Sequence, residues 1–386
     1  MLDALPPLMT FIASLLLAAS LAAQQAPEPQ APETRAAAPG DESPDIRSMS
    51  AEEVWSATCT RCHGEQGRGN PPDSVLVNFE APPRDFHGAY FNSRERRRDW
   101  FDVIKHGGPY RGLSTTMPSF GDQLDDQQIS ALVDYLKGFV EEESLPQGET
   151  NFIRAHFAAK AFPEQEFLVL PELVRTTGAA SVTETRVTVY YADRFADRGQ
   201  VEVKAPLVNV ATPGANDAGL GDVELGFKYA FFDRRTTPAI AAAGLEIALP
   251  TGDSSRQFGG GAFVAVPYLA AGVGVANKLQ LQASTKLETP LATGRTTTFV
   301  GALAATLTLP SSRQGLFPGL ELLAEAPLDG SPATLSLVPT LYTGITKLGH
   351  VAFSLGSEFP VVGSRPYDAR LVAFFLWEYA DGGIFW

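Results

Sequence analysis

From about Glu166 to the end of the chain, apolar and polar residues alternate with a period of two, in runs of roughly ten residues. Val223, Leu225, Phe227, Tyr229 and Phe231 alternate with Asp222, Glu224, Gly226, Lys228 and Ala230; Leu279, Leu281, Ala283, Thr285 and Leu287 alternate with Lys278, Gln280, Gln282, Ser284 and Lys286. A period of two belongs to β-strands whose two faces meet different surroundings. These runs exceed the usual strand of ~5–6 residues and suit the ~9–11 residues of a tilted strand that crosses a bilayer. A soluble sandwich also alternates, but it needs a charged outer face and protected edges. Here the polar face is mostly Gly, Ala, Ser, Thr and Gln, and the apolar face carries Phe, Tyr and Leu. That pattern favours an antiparallel transmembrane β-barrel, closed so that every backbone group is satisfied in lipid.

Twelve such runs can be marked out: 166–174, 182–191, 199–210, 220–232, 238–249, 261–270, 278–288, 297–309, 317–326, 333–342, 350–359 and 367–379. An even count suits a bacterial barrel, and ten is the alternative because Pro171 weakens the first run. By alternation Glu224, Glu246, Lys278, Lys286, Glu288 and Arg370 face the lumen, as the coat of a wet pore. His350, at a strand start, reads as an interfacial side chain.

The chain before this region divides by composition. Residues 1–23 hold the apolar run Leu8–Ala23 and read as an export signal. Residues 24–48 are rich in Pro, Ala and acids and read as a disordered tether. Residues 49–143 carry helical spacing. A Ser50/Glu53 capping box opens a helix that runs into Cys59, a second helix covers Arg94–His106, and a third covers Asp125–Val140. Residues 144–165 read as a linker to the barrel, 166–386. With 44 acidic against 30 basic residues the chain carries −14, which excludes a nucleic-acid partner held by charge.

The chemistry lies in Cys59-Thr60-Arg61-Cys62-His63. C-x-x-C-H is the attachment pattern of c-type haem: two thiols form thioethers and the next histidine offers an imidazole to the iron. The competing readings are chance and a zinc knuckle, but zinc would call for four protein ligands and the chain has no third cysteine.

The segment Val54–Phe139, with CTRCHGEQGRGN, APPRDF, FDVIKHGGPYRGLSTTMPSFGDQL and DQQISALVDYLKGF, resembles class I cytochrome c. The resemblance implies one covalently attached haem c, with His63 and Met117 on the iron; His106 is the alternative to Met117. With His–Met ligation the site is an electron carrier rather than an enzyme. His87 reads as an exposed loop residue and Trp100 and Phe101 as core. Arg94, Arg96, Arg97 and Arg98 read as a solvated helix face, with haem propionates or an acidic partner as the alternative.

In the barrel half, GLGDVELGFKYAFF and GLEIALPTGD resemble outer-membrane proteins of phenol and hydrocarbon uptake, and the final GIFW resembles their aromatic C-terminal signal. The whole arrangement resembles the fused monohaem cytochrome–porins of iron-oxidising bacteria, which implies a possible role in oxidising an external donor such as ferrous iron. The expectation is an outer-membrane protein whose haem passes electrons between an extracellular or lumenal small reductant and a periplasmic redox carrier, with outer-membrane lipid around the barrel. The alternatives are a barrel-anchored periplasmic carrier and a solute channel gated by the haem. A domain of ~95 residues has a radius of gyration near ~13 Å, too large for a lumen of ten to twelve strands. The helical unit is therefore expected at the periplasmic mouth.

Overall fold

The structure is a computed structural model and describes residues 45–69, 83–140, 145–176, 182–234, 236–276, 278–308, 314–381 and 383–384. The expected leader, most of the tether, the coil at Pro71-Pro72 and the aromatic end Phe385-Trp386 lie outside the described residues.

Helices come first. α1 (Ala51–Val54) continues through a π-turn (Trp55–Cys59) into α2 (Thr60–His63); α3 (Ala89–Arg94), α4 (Arg97–His106) and α5 (Asp126–Lys137) follow. The capping box forms as expected: Ser50 Oγ accepts from the Glu53 N–H, and the Glu53 carboxylate accepts from the Ser50 N–H. Asp125 and Gln128 cap α5 in the same way. The second expected helix begins three residues late, at Arg97, because Glu95 and Arg96 take extended backbone angles; Arg94 instead ends α3, a helix the sequence reading did not place. Trp55, Trp100, Ile104, Ile129, Leu132 and Leu136 form the apolar core, and burying each such side chain contributes on the order of 2 kcal/mol.

The strands are β1 (Glu166–Arg175), β2 (Thr183–Phe195), β3 (Gly199–Thr212), β4 (Ala215–Leu220), β5 (Val223–Arg234), β6 (Ala239–Leu249), β7 (Val264–Val275), β8 (Leu279–Pro290), β9 (Thr298–Leu307), β10 (Leu316–Pro327), β11 (Thr334–Gly344), β12 (Val351–Gly363) and β13 (Ala369–Trp377). Each pairs antiparallel with its neighbours, and β1 closes the ring on β13. β4 and β5 pair with opposite ends of β3 and act as one interrupted stave, so the barrel has twelve. The interruption falls at Gly221 and Asp222. The Gly221 N–H donates to Pro206 at 2.8 Å, and the Asp222 carboxylate turns away to accept from Gly252 and Gly260. Part of the expected loop 211–219 is thus strand.

The barrel is inverted relative to the helical core. Phe227, Tyr229, Leu245, Leu269, Leu303 and Phe375 point outward and are exposed, whereas Gln200, Glu202, Lys228, Gln282, Glu321 and Glu358 are buried within. Lys204 bridges Glu224 and Glu246 along the inner wall, on the neighbouring staves β5 and β6, at 3.0 and 2.9 Å, and Lys286 of β8 reaches Glu246 at 3.6 Å. Of the six expected lumen charges Lys278 departs: it sits exposed in the turn before β8. His350 is also corrected. It is buried, and its ring bonds Thr346 Oγ1 and the Gly383 carbonyl, tying the β11–β12 turn to the chain end.

Residues 145–165 do more than link two folds. After contacts of Glu149 and Asn151 with the helical domain, residues 153–164 enter the lumen and return to the same mouth, bonded to the inward-facing side chains of the wall. Glu321 accepts from the N–H groups of His156, Phe157 and Ala158 at 2.7, 2.9 and 3.1 Å. Lys228 Nζ donates to the carbonyls of Lys160 and Phe162 at 2.8 and 3.0 Å. Gln280 and Gln282 hold both backbone groups of Ile153, and Gln200 accepts from the Glu164 N–H. Each of the twelve staves contributes at least one buried inward side chain around this segment. At this level the segment and the wall side chains pack together inside the barrel.

Candidate haem site

Burial and backbone shape set the motif. The π-turn over Trp55–Cys59 widens the helix by one residue just before the second cysteine and the histidine, a distortion that recurs at functional sites. Thr58 Oγ1 donates to the Val54 carbonyl and lies 3.3 Å from Cys59 Sγ. Gly64 ends α2 at φ +76°, which only glycine adopts readily. Trp55 Nε1 donates to the Glu65 carbonyl at 3.0 Å, fixing the chain after the motif.

His63 stacks on Phe86 with ring centroids 5.1 Å apart, and Trp55 lies at 6.0 Å. Burial pushes its imidazole down to about 4, so the ring is neutral, the state in which it can bind a metal. Its Nδ1 is buried without a partner. Both cysteines are free, and burial pushes the Cys59 thiol up.

Met117 and Cys59 pack against the same apolar core. The methionine lies in a tight loop after α4. The Gly108 N–H donates to the Met117 carbonyl at 3.0 Å, and a Cβ at Gly107 or Gly108 would press on Met117 at 3.0 to 3.1 Å. The two glycines after His106 thus bring the loop close. His106 itself is exposed and lies on Tyr110. His87 is corrected: it is half-buried, stacks on Phe139 and bonds the Gln66 carbonyl at 2.6 Å. Trp100 and Phe101 are core, as expected.

Two free thiols, a neutral buried imidazole with an orphaned nitrogen and a thioether on one apolar wall fit a c-type haem. The zinc alternative has no ligand set: among the described residues no three His, Cys, Asp or Glu side chains gather to hold a metal.

The arginine cluster does not form a solvated face. Arg94 is buried and pairs with Asp381, beyond β13, and Arg96 donates to the Asn151 carbonyl. Only Arg97 and Arg98 stay exposed, paired with Asp134 and Asp102. Tyr90 bonds Gln165, and Lys347 and Leu348 of the β11–β12 turn meet Pro109 and Arg111. The helical domain therefore docks on the end of the barrel that carries the short turns and both strand termini. Lys137 also escaped notice in the sequence. Its buried ammonium sits 4.2 Å from the Trp100 ring centre, bonds the carbonyls of Asn92 and Glu95, and is pushed down by burial to about 8.

Residues 47–136 match the family described as cytochrome c oxidase, cbb3-type, subunit III. The search of curated proteins finds no match. Among solved structures, an outer-membrane channel from Pseudomonas putida F1 is 12% identical, covers 58% of this chain and 98% of its own, and gives a TM-score of 0.46. The KdgM porin in complex with disordered oligogalacturonate is 11% identical over 55% of this chain and 99% of its own, at a TM-score of 0.39. The chain therefore carries a c-type cytochrome domain at residues 47–136, followed by a closed twelve-stave antiparallel β-barrel.

Proposed function

We propose that the chain is an outer-membrane electron-transfer protein. Cys59 and Cys62 would hold one haem c, with His63 and Met117 as ligands to its iron, at the short-turn mouth, where a periplasmic redox carrier would be the partner. Bound there, the haem supplies a one-electron couple, and a thioether ligand favours its reduced state. The protein's part would be to hold the iron with His63 and Met117 and so leave little room for a substrate there.

The observation that carries this reading is a cytochrome c domain fixed by the Arg94–Asp381 ion pair and by hydrogen bonds from Tyr90, Arg111 and Lys347 to one mouth of a barrel whose apolar side chains face outward. An exposed apolar belt on a closed sheet suits lipid. The segment packed inside the lumen speaks against a solute channel and against a small reductant that travels through the pore.

A second reading, a conduit to an external donor, is favoured by one contact. The Arg194 guanidinium lies between the rings of Tyr90 and Phe162, at 5.1 and 5.4 Å, joining the haem domain to the lumenal segment. Ferrous iron, carried over from the architectural resemblance, is the donor class to try.

Visible spectra of pre-reduced intact cells, taken before and after a membrane-impermeant oxidant, test both readings. Reduced c-type bands that persist until the outer membrane is permeabilised support the periplasmic carrier. Rapid loss in intact cells supports the conduit. Absence of the bands with the protein present removes the haem assignment.

A further inference from the structure

The loop that carries Met117 is held from outside its own domain. Arg111, in this loop, is buried and pairs with Asp99 of α4. Its Nη2 also donates to the Leu348 carbonyl, in the turn between β11 and β12, at 3.0 Å. From the same turn Lys347 Nζ donates to the Pro109 carbonyl at 3.2 Å. The rest of the loop is tied to itself: Leu113 N–H to Gly108, Met117 N–H to Ser114, and Gly108 N–H to Met117. One wall of the loop is therefore α4 and the other is the barrel. The turn is in turn fixed by buried His350, which bonds Thr346 and the Gly383 carbonyl.

We propose that the β11–β12 turn of the barrel is part of the methionine-ligand site, with Arg111 as the positioning residue that clamps the Met117 loop between Asp99 and Leu348. The inference rests on Met117 being the axial ligand. A thioether is a neutral, weak ligand, so an outside ligand reaches the iron whenever the loop swings away. Its apparent affinity scales with the fraction of time the loop is open. Docking on the barrel reduces that fraction, so ligand retention depends on a part of the chain more than two hundred residues away.

The test uses the purified full-length holoprotein in detergent, titrated with imidazole in the ferric state and followed by the far-red charge-transfer band of a His–Met haem. Arg111→Lys keeps a cation beside Asp99 but loses the reach to Leu348. It is expected to raise imidazole affinity at least about tenfold, to weaken the band and to lower the reduction potential. Lys347→Ala alters an exposed barrel side chain and leaves the helical core intact; its expected rise is roughly threefold. Wild-type affinity and band in both variants would overturn the proposal. Met117→Ala separates the two levels. If it binds imidazole no more tightly than wild type, Met117 is not the ligand and the underlying assignment falls; a rise there with none in the other two defeats the clamp alone.

Discussion

The two folds of this chain bury opposite kinds of side chain. In the helical domain the most completely buried large residues are Trp55, Ile129 and Leu132; in the barrel they include Gln200, Glu166, Glu321 and Glu358. Water expels apolar surface from the first. In the second, apolar surface faces outward and the polar groups satisfy one another and the chain threaded between them. Buried polarity of that kind is tolerable only where each group has a partner. The lumenal segment supplies those partners through its backbone: Ile153, His156, Phe157, Ala158, Ala159 and Glu164 all donate N–H groups to wall side chains.

Five experiments would break or sharpen this contrast. The largest effect is expected from replacing both thiols. In Cys59→Ser with Cys62→Ser the reduced c-type bands should vanish completely, while heat-modifiable migration of the folded barrel stays as in wild type; loss of both would mean that the barrel needs the haem domain to fold. Next come two substitutions of opposite logic. Leu132→Ala in the helical core should cost about 2–5 kcal/mol, and Leu269→Lys on the outer face of β7 about 2–4 kcal/mol near the bilayer midplane. Denaturant titration in lipid vesicles measures both, and tolerance of Leu269→Lys would deny that this face meets lipid. Glu321→Ala removes the acceptor of three amides and should cost about 2 kcal/mol, read as faster hydrogen exchange at residues 156–158 with the helical domain unchanged.

A last effect is a pH dependence confined to the helical domain. Burial holds the Lys137 ammonium down to about 8, against 10.5 for the free side chain. Between those values the unfolded chain keeps a proton that the folded chain has lost, so stability rises with pH across that window and is flat below it. Unfolding followed by tryptophan fluorescence should show the rise, and Lys137→Met should remove it.

Much of this was legible in the sequence because it is local. The alternation in β5 and β8, the Ser50/Glu53 box and the Cys59–His63 motif each declare themselves within a few residues. The lumenal segment did not, because its small side chains, Ala155, Ala158, Ala159 and Ala161, have no period. What holds it is set by wall residues such as Glu321, 163 to 165 positions away. The arginine cluster misled for the same reason: on its helix Arg94 looks like a surface cation, and only Asp381, far along the chain, makes it an interface residue. The break at Glu95-Arg96 had no proline or glycine to announce it.

The segment packed inside the lumen has a consequence for the cell that would carry this protein. An open barrel is a leak, and each added copy widens the hole through which antibiotics enter and periplasmic solutes escape. A barrel stopped by its own chain adds no such leak. On the proposed function, copies of such a barrel add redox domains without adding holes of the lumen's width, so a dense array would leave the membrane intact as a barrier.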